Sequence, residues 1–189
     1  MNISAVLLAG GESRRMGTDK ATLLFSGEPL WQVQLGLLRK LEPAEILISA
    51  RNDPVWRPPD VQFVSDNAPS RGPLSGISAA LAKLQTSHLL ALGIDMPFMT
   101  PSYLQVLLEE RTSGCGVIPM IDKRAEPLAA IYPSEALAYF VAALSGADFS
   151  LQNVIKQLAS AGKVRVIRVR KEDEKLFRNL NQPANVVGP

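Results

Sequence analysis

Leu7-Leu8-Ala9-Gly10-Gly11-Glu12-Ser13-Arg14-Arg15-Met16-Gly17-Thr18-Asp19-Lys20 emerges from an apolar run, Ile3 to Leu8, that reads as a buried strand. The glycine pair frees the backbone from side-chain sterics, so main-chain N–H groups can turn toward an anion. Ser13 adds a hydroxyl donor, and Arg14, Arg15 and Lys20 bring positive charge. A strand end with backbone donors and cations is a place for phosphate. The two common phosphate loops do not fit. A Walker loop needs Lys directly after its second glycine, whereas Thr18 follows Gly17. The dinucleotide fingerprint G-x-G-x-x-G is broken at Gly10-Gly11-Glu12.

Outward from this strand, apolar runs alternate with helical patterns. The runs Ala5–Leu8, Glu45–Ala50, Val61–Val64, His88–Leu92, Gly116–Met120, Leu128–Tyr132 and Val164–Val169 predict strands. Trp31–Leu41, Leu74–Leu84, Ser102–Glu110, Ser134–Leu144 and Leu151–Ala161 predict helices. Pro101-Ser102 and Pro133-Ser134 set a proline beside a capping residue. Ser150 can cap the helix from Leu151, and Gly162 closes it. Strands separated by helices imply right-handed crossovers and a mostly parallel sheet covered on both faces, an α/β fold of three layers. Ligands bind such sheets beyond the carboxyl ends of the strands. Arg57-Pro58-Pro59 reads as a rigid loop, Trp31 to Leu38 as core packing, and Arg165 to Lys175 as a solvated edge strand and helix start.

Bulk properties narrow the classes. With 189 residues the chain suits one domain with a full core, spanning residues 1–189. Lys plus Arg is 20 and Asp plus Glu is 18, a balance that gives no case for a nucleic-acid binder. No apolar stretch approaches the roughly 20 residues of a membrane span. Met1-Asn2-Ile3-Ser4 has no cationic region before an apolar core, so no secretory signal is expected. A lone Cys115 allows no internal disulfide and suits a reducing cytoplasm; no motif accompanies it, so it reads as structural. His88, the single histidine, also reads as a structural polar residue.

The Leu8–Lys20 segment resembles the signature L-A-G-G-x-S-x-R-M-G-x-D-K of nucleotidyltransferases that activate sugars and cofactors with a nucleoside triphosphate. The nearer resemblance is to the MobA-like family of molybdenum cofactor guanylyltransferases, and it extends along the chain. Asp95 matches the aspartate of a D-x-P element in Asp95-Met96-Pro97. Asp66 matches an aspartate implicated in nucleotide binding, although an Asx-turn residue would look the same. Gly72-Pro73-Leu74-Ser75-Gly76 matches G-P-L-x-G, where Gly72 and Gly76 would allow close backbone approach. Asn179, Asn181 and Pro183 match N-x-N-T-P, from which Gln182 departs.

The resemblance implies a nucleotidyltransferase fold of Rossmann-like type and a set of roles. Leu8, Ala9, Gly10, Gly11, Ser13, Lys20, Asp66, Gly72, Pro73 and Asp95 are expected around the nucleotide. Lys20 is expected to stabilise the transition state at the α-phosphate, and Arg14 to meet the outer phosphates. Arg15 is expected to be solvated or to touch the acceptor, and Asp19 to brace the loop or take part in catalysis. Asp95, with Asn181, is expected to hold Mg²⁺, which prefers one or two carboxylates plus phosphate oxygens and water. Glu126, in Glu126-Pro127-Leu128-Ala129-Ala130-Ile131-Tyr132, is expected near the second substrate.

Guanylyl-transferring members resemble the chain at Gly10 and at Gly72–Gly76, whereas cytidylyl-transferring relatives tend to carry alanine at the first glycine. The resemblance therefore implies GTP as donor and molybdenum-bound molybdopterin as acceptor, with transient docking to proteins that deliver or receive the cofactor. A cytidylyltransferase, another small-acceptor nucleotidyltransferase, and a non-catalytic nucleotide-binding adaptor stand as the alternatives.

Overall fold

The computed structural model describes residues 3–10, 19–66 and 69–180. Strand β1 (Ser4–Leu8) is followed by a 3-10 turn (Lys20–Thr22), a short hairpin of β2 (Leu24–Phe25) and β3 (Glu28–Pro29), and helix α1 (Leu30–Arg39). Then come β4 (Glu45–Ala50), β5 (Gln62–Ser65), α2 (Pro73–Lys83), β6 (His88–Gly93), α3 (Pro101–Glu110), β7 (Gly116–Ile121), β8 (Arg124–Ala125) and β9 (Ala129–Pro133). The last elements of the described residues are α4 (Leu137–Ser145), α5 (Leu151–Ser160), β10 (Val164–Arg168) and a 3-10 turn at Lys171–Phe177. The sheet runs β10-β7-β9-β6-β1-β4-β5, with β8 on the side of β7. Pairings β1–β4, β1–β6, β4–β5 and β7–β10 are parallel. Strand β9 runs antiparallel to both β6 and β7.

The alternation of β1 divides the core. Ala5 and Leu7 face a cluster with Leu35 and Leu38 of α1 and Leu104 and Leu107 of α3. Val6 and Leu8 face another with Leu74 and Ile77 of α2, Phe140 of α4 and Leu158 of α5. Helices on both faces bury the sheet, which is why its central strands are continuously apolar. Each such fully buried Leu contributes about 1.5–3 kcal/mol. Among the described residues no helix is long and apolar enough to cross a membrane.

The expected elements are present, and three caps differ from expectation. Helix α3 is capped by Thr100, whose Oγ1 accepts from the Tyr103 N–H at 3.2 Å, with Pro101 rather than Ser102 opening the helix. Proline needs no N–H partner there, so the hydroxyl one residue earlier takes the cap. Ser134 opens a 3-10 turn without a side-chain cap. Ser150 precedes α5, but its hydroxyl makes no capping bond; Asp148 accepts from the Ser150 N–H at 2.8 Å and from the Asn153 amide. Gly162 closes α5 at φ +67°, a left-handed residue as expected. Strand β10 is an edge strand, as its alternating charges suggest.

Gly76 matters for packing. A Cβ there would lie 2.9 Å from Ser49 Oγ and 3.1 Å from Leu8 Cδ2, so its absence lets α2 approach β1 and β4. The close approach expected at Gly76 is thus toward the sheet. Gly76→Ala is expected to cost about 1–3 kcal/mol of unfolding free energy, read by chemical denaturation. An unchanged midpoint would mean that the Ser49 hydroxyl simply rotates away.

His88 is buried at the start of β6. Its Nε2 donates to the Thr112 carbonyl at 3.0 Å, which leaves Nδ1 to accept from Ser87 Oγ at 2.9 Å. Burial holds its pKa below the ordinary 6.5, against raising effects from the Thr112 and Cys115 backbone; Arg111 lowers it and Glu135 raises it to lesser degrees. The unfolded chain therefore takes up a proton as pH falls through 6.5, while the folded chain resists it, so stability falls in that direction. His88→Gln should remove that increment from the pH dependence of the unfolding midpoint between neutral pH and the folded-state value. A slope identical to that of the parent would count against a buried neutral imidazole.

Candidate nucleotide site at the carboxyl ends of the strands

Register brings the site together. Leu8 of β1 is level with Ser49 of β4 and Gly93 of β6, and Ala50 of β4 is level with Ser65 of β5. The residues that follow these positions, Ala9-Gly10, Arg51, Asp66 and Ile94-Asp95, therefore leave the sheet along one edge. A cavity of about 510 Å³ opens there, lined among others by Ala9, Gly10, Asp19, Trp56, Asp66 and Gly72.

The N–H groups of Ala9 and Gly10 both donate to the Ser49 carbonyl, at 2.9 and 3.1 Å. They are consumed by the sheet and do not face an anion, because β1 continues its pairing with β4 one step past the last strand residue. Leu8 places its side chain in the core, and its carbonyl accepts from the Ile94 N–H at 3.1 Å. Gly10 lies against Asp66: a Cβ on Gly10 would stand 3.1 Å from Asp66 Oδ2 and 3.6 Å from the Ala50 backbone.

Asp66 is 5% exposed. Its Oδ2 accepts from Ser70 Oγ at 2.7 Å, while Oδ1 has no hydrogen-bond partner among the described residues. A buried carboxylate oxygen without a donor is costly, so it favours a ligand that brings one. The Ser70 hydroxyl also accepts from the Gly72 N–H at 3.2 Å, and Ser75 Oγ accepts from the Arg71 N–H at 2.9 Å. Gly72 has φ +64° directly before α2, a conformation that side chains disfavour. The glycine is there for this turn, and the turn sets Ser70 against Asp66.

Lys20 and Asp95 meet. Lys20 Nζ lies 3.6 Å from Asp95 Oδ2, with the side chains 31% and 18% exposed. The segment that carries Asp95 is held by backbone bonds: the Gly93 N–H donates to the Leu128 carbonyl at 2.8 Å, and the Leu180 N–H donates to the Asp95 carbonyl at 2.8 Å. Lys20 begins a turn whose cap is Asp19. Asp19 Oδ1 accepts from the Ala21 N–H at 3.0 Å, and Oδ2 accepts from the Trp56 indole N–H at 2.9 Å.

A second cavity, of about 600 Å³, is lined among others by Met96, the residue after Asp95, and by Pro73, Glu126, Phe149, Phe177 and Asn179. The Arg71 guanidinium sits 4.0 Å over the Phe149 ring at its edge. Burial raises the Glu126 carboxyl above its ordinary value, against a lowering by Arg124. Gln152 holds the preceding residue, accepting from the Ala125 N–H at 3.0 Å and donating to its carbonyl at 2.9 Å.

Of the residues expected around a nucleotide, Ala9, Gly10, Asp66 and Gly72 share the first cavity, and Pro73 lines the second. Gly11, Ser13, Arg14, Arg15 and Asn181 lie outside the described residues. Counted position by position, the signature's fixed arginine falls on Arg15 and its open position on Arg14, so the outer-phosphate expectation passes from Arg14 to Arg15. Among the described residues no group of three or more His, Cys, Asp or Glu could hold a metal alone. A single partly exposed carboxylate, Asp95, suits Mg²⁺ in the mode where substrate phosphates complete the shell. Sequence reasoning missed Trp56, Ser70 and Phe149. The available signal was position: Trp56 and Ser70 follow β4 and β5 at the ligand-binding edge.

Comparison with known proteins shows the family and the fold. The family model for the MobA-like NTP transferase domain matches residues 5–178. A protein of Opitutus terrae named "Probable molybdenum cofactor guanylyltransferase" is 34% identical over 184 residues, covering 96% of this chain and 91% of its own. One of the same name from Chloroflexus aggregans is 31% identical, covering 84% of this chain and 78% of its own. The crystal structure of molybdopterin-guanine dinucleotide biosynthesis protein A from Archaeoglobus fulgidus superimposes with a TM-score of 0.77 at 24% identity, over 97% of this chain and 94% of that one. With the family model matched over most of its length and these relatives alike in sequence, the chain belongs to the MobA-like NTP transferase family.

Proposed function

We propose that the chain, acting as one domain, transfers GMP from GTP to the terminal phosphate of molybdenum-bound molybdopterin, forming the guanine dinucleotide cofactor. The observation that carries this reading is the meeting of Lys20 and Asp95, the chain neighbours of Asp19 in the wall of the first cavity and of Met96 in the wall of the second, with the first also lined by Asp66, whose buried Oδ1 has no hydrogen-bond partner among the described residues. The first cavity takes the nucleoside and the second takes the acceptor. An acceptor phosphate oxygen forms a bond to the α-phosphorus, the bond from that phosphorus to the bridging oxygen breaks, and pyrophosphate leaves.

Lys20 is a compact cation that follows the charge building on the α-phosphate. Arg15, by the signature, meets the outer phosphates. Asp95, with Asn181, would hold Mg²⁺, which supplies charge neutralisation at the phosphates. The contribution of the protein is otherwise positioning, since no covalent enzyme intermediate is required.

Asp66 supports a base with donors on its edge. Guanine presents an N–H and an exocyclic amine side by side, whereas cytosine presents an amine alone. Gly10 supports the same choice, because a side chain there would crowd Asp66 Oδ2.

The test is pyrophosphate release with Mg²⁺ and molybdenum-loaded molybdopterin, comparing GTP, CTP and ATP. Release with GTP alone is expected. Preference for CTP would overturn the base assignment, and binding of GTP without release would favour an adaptor. Lys20→Ala should lower kcat at least 100-fold, in the range of a lost electrostatic stabiliser, while the Kd for GTP changes less. Equal turnover would remove Lys20 from the reaction. Gly10→Ala should lower kcat/KM for GTP about tenfold relative to CTP, as expected when one pocket contact is misplaced; an unchanged ratio would mean that Asp66 moves aside.

A further inference from the structure

We infer that Trp56 is a positioning residue for Lys20, and that the Trp31–Trp56 stack fixes the turn that carries Lys20 to helix α1 and to the connection between β4 and β5. The inference rests on the placement of Lys20 at the reacting phosphate proposed above. The two indoles are the only tryptophans of the chain, and they lie against each other with centroids 5.5 Å apart and planes 17° apart. Trp31 belongs to the first turn of α1, and both rings pack against the core cluster that includes Leu35 and Leu38. This anchors Trp56 although its loop, from Arg51 to Asp60, is largely exposed.

A second brace holds the same loop. Arg57 makes a paired contact with the Asp53 carboxylate, at 2.6 and 2.7 Å, and donates to the Val61 carbonyl at 2.6 Å. The indole N–H is thereby aimed from a fixed frame, and it meets Asp19 Oδ2 at 2.9 Å. The other oxygen of Asp19 caps the turn through the Ala21 N–H at 3.0 Å, and the Asp19 carbonyl accepts from the Thr22 N–H at 3.0 Å. Lys20 is the residue between these contacts. Its ammonium must reach toward Asp95 from a turn of only three residues. Ala21 is buried in the core and seats the turn, while the carboxylate that caps it is held by the indole, so the indole helps set where the lysine points. Trp56 and Asp19 both line the nucleoside cavity, so the same bond joins the wall of that cavity to the catalytic cation.

The test uses Trp56→Phe, which keeps a ring in the stack and removes the donor, Asp19→Asn, which keeps one cap acceptor, and the double variant. Hydrogen exchange of the Ala21 and Thr22 amides is expected to speed up about fivefold in Trp56→Phe, the factor that one ordinary hydrogen bond represents. The thermal midpoint should stay close to that of the parent. With GTP and acceptor, kcat should fall about fivefold with KM for GTP nearly unchanged. The double variant should be no slower than Asp19→Asn alone, because both substitutions break one bond.

Unchanged exchange at Ala21 and Thr22 would overturn the inference. So would additive losses in the double variant, or a loss confined to KM. If the parent protein shows no turnover with any nucleotide, the proposed reaction fails, and the exchange measurement still decides whether Trp56 holds the turn.

Discussion

The in-register parallel pairing of β1 with β4 on one side and β6 on the other is the constraint on which the rest depends. Leu8 stands level with Ser49 and Gly93, so three chain segments leave the sheet side by side. Had β1 slipped by one residue, Val6 and Leu8 would exchange faces with Ala5 and Leu7, and both clusters would lose their fit. The apolar content of the strand thus fixes where Gly10, Asp66 and Asp95 emerge. The site inherits its accuracy from core packing, since Asp95 is tied by backbone bonds to Leu128 and Leu180 through residues 93–95. Polar chemistry is placed by apolar register.

Glycines serve this arrangement in three distinct ways. Gly76 lets a helix approach the sheet, Gly72 takes a left-handed turn, and Gly10 leaves room beside a buried carboxylate. Only the last concerns the ligand side directly. A motif that reads as one phosphate-binding element in sequence is, in three dimensions, partly a solution to packing. Ala9 and Gly10 illustrate this: their N–H groups serve the ladder with Ser49.

Much of the fold was legible because its signals are strong and local. The strand at Glu45–Ala50 is built on the apolar run Ile46-Leu47-Ile48, and the helix at Leu151–Ser160 shows an apolar face with Val154, Ile155 and Leu158 buried. The reversed direction of β9 was not legible, since an apolar strand bounded by turns reads alike in either direction. Caps were harder too: Thr100, Ser102, Asp148 and Ser150 are all competent acceptors, and which one bonds depends on backbone angles fixed by neighbours. At the site, Asp66 and Asp95 were legible from their places after strands. Trp56 was not, because its role depends on the stack with Trp31 and the bond to Asp19, which are distant in sequence.

The Lys20–Asp95 pair has a further physical consequence. At 3.6 Å and partly exposed, it is the kind of ion pair worth no more than about 1 kcal/mol. Each member is therefore held in place without being locked to the other. In the proposed reaction Lys20 would turn to a phosphate and Asp95 to a cation at small cost, provided that their backbones stay fixed. The backbone of Asp95 is fixed by Leu180 and by the β6–Leu128 bond, and that of Lys20 by Asp19. A weak contact between strongly positioned groups suits a site that must exchange its charge partners during transfer, because preorganisation is spent on where the charges are rather than on what they touch.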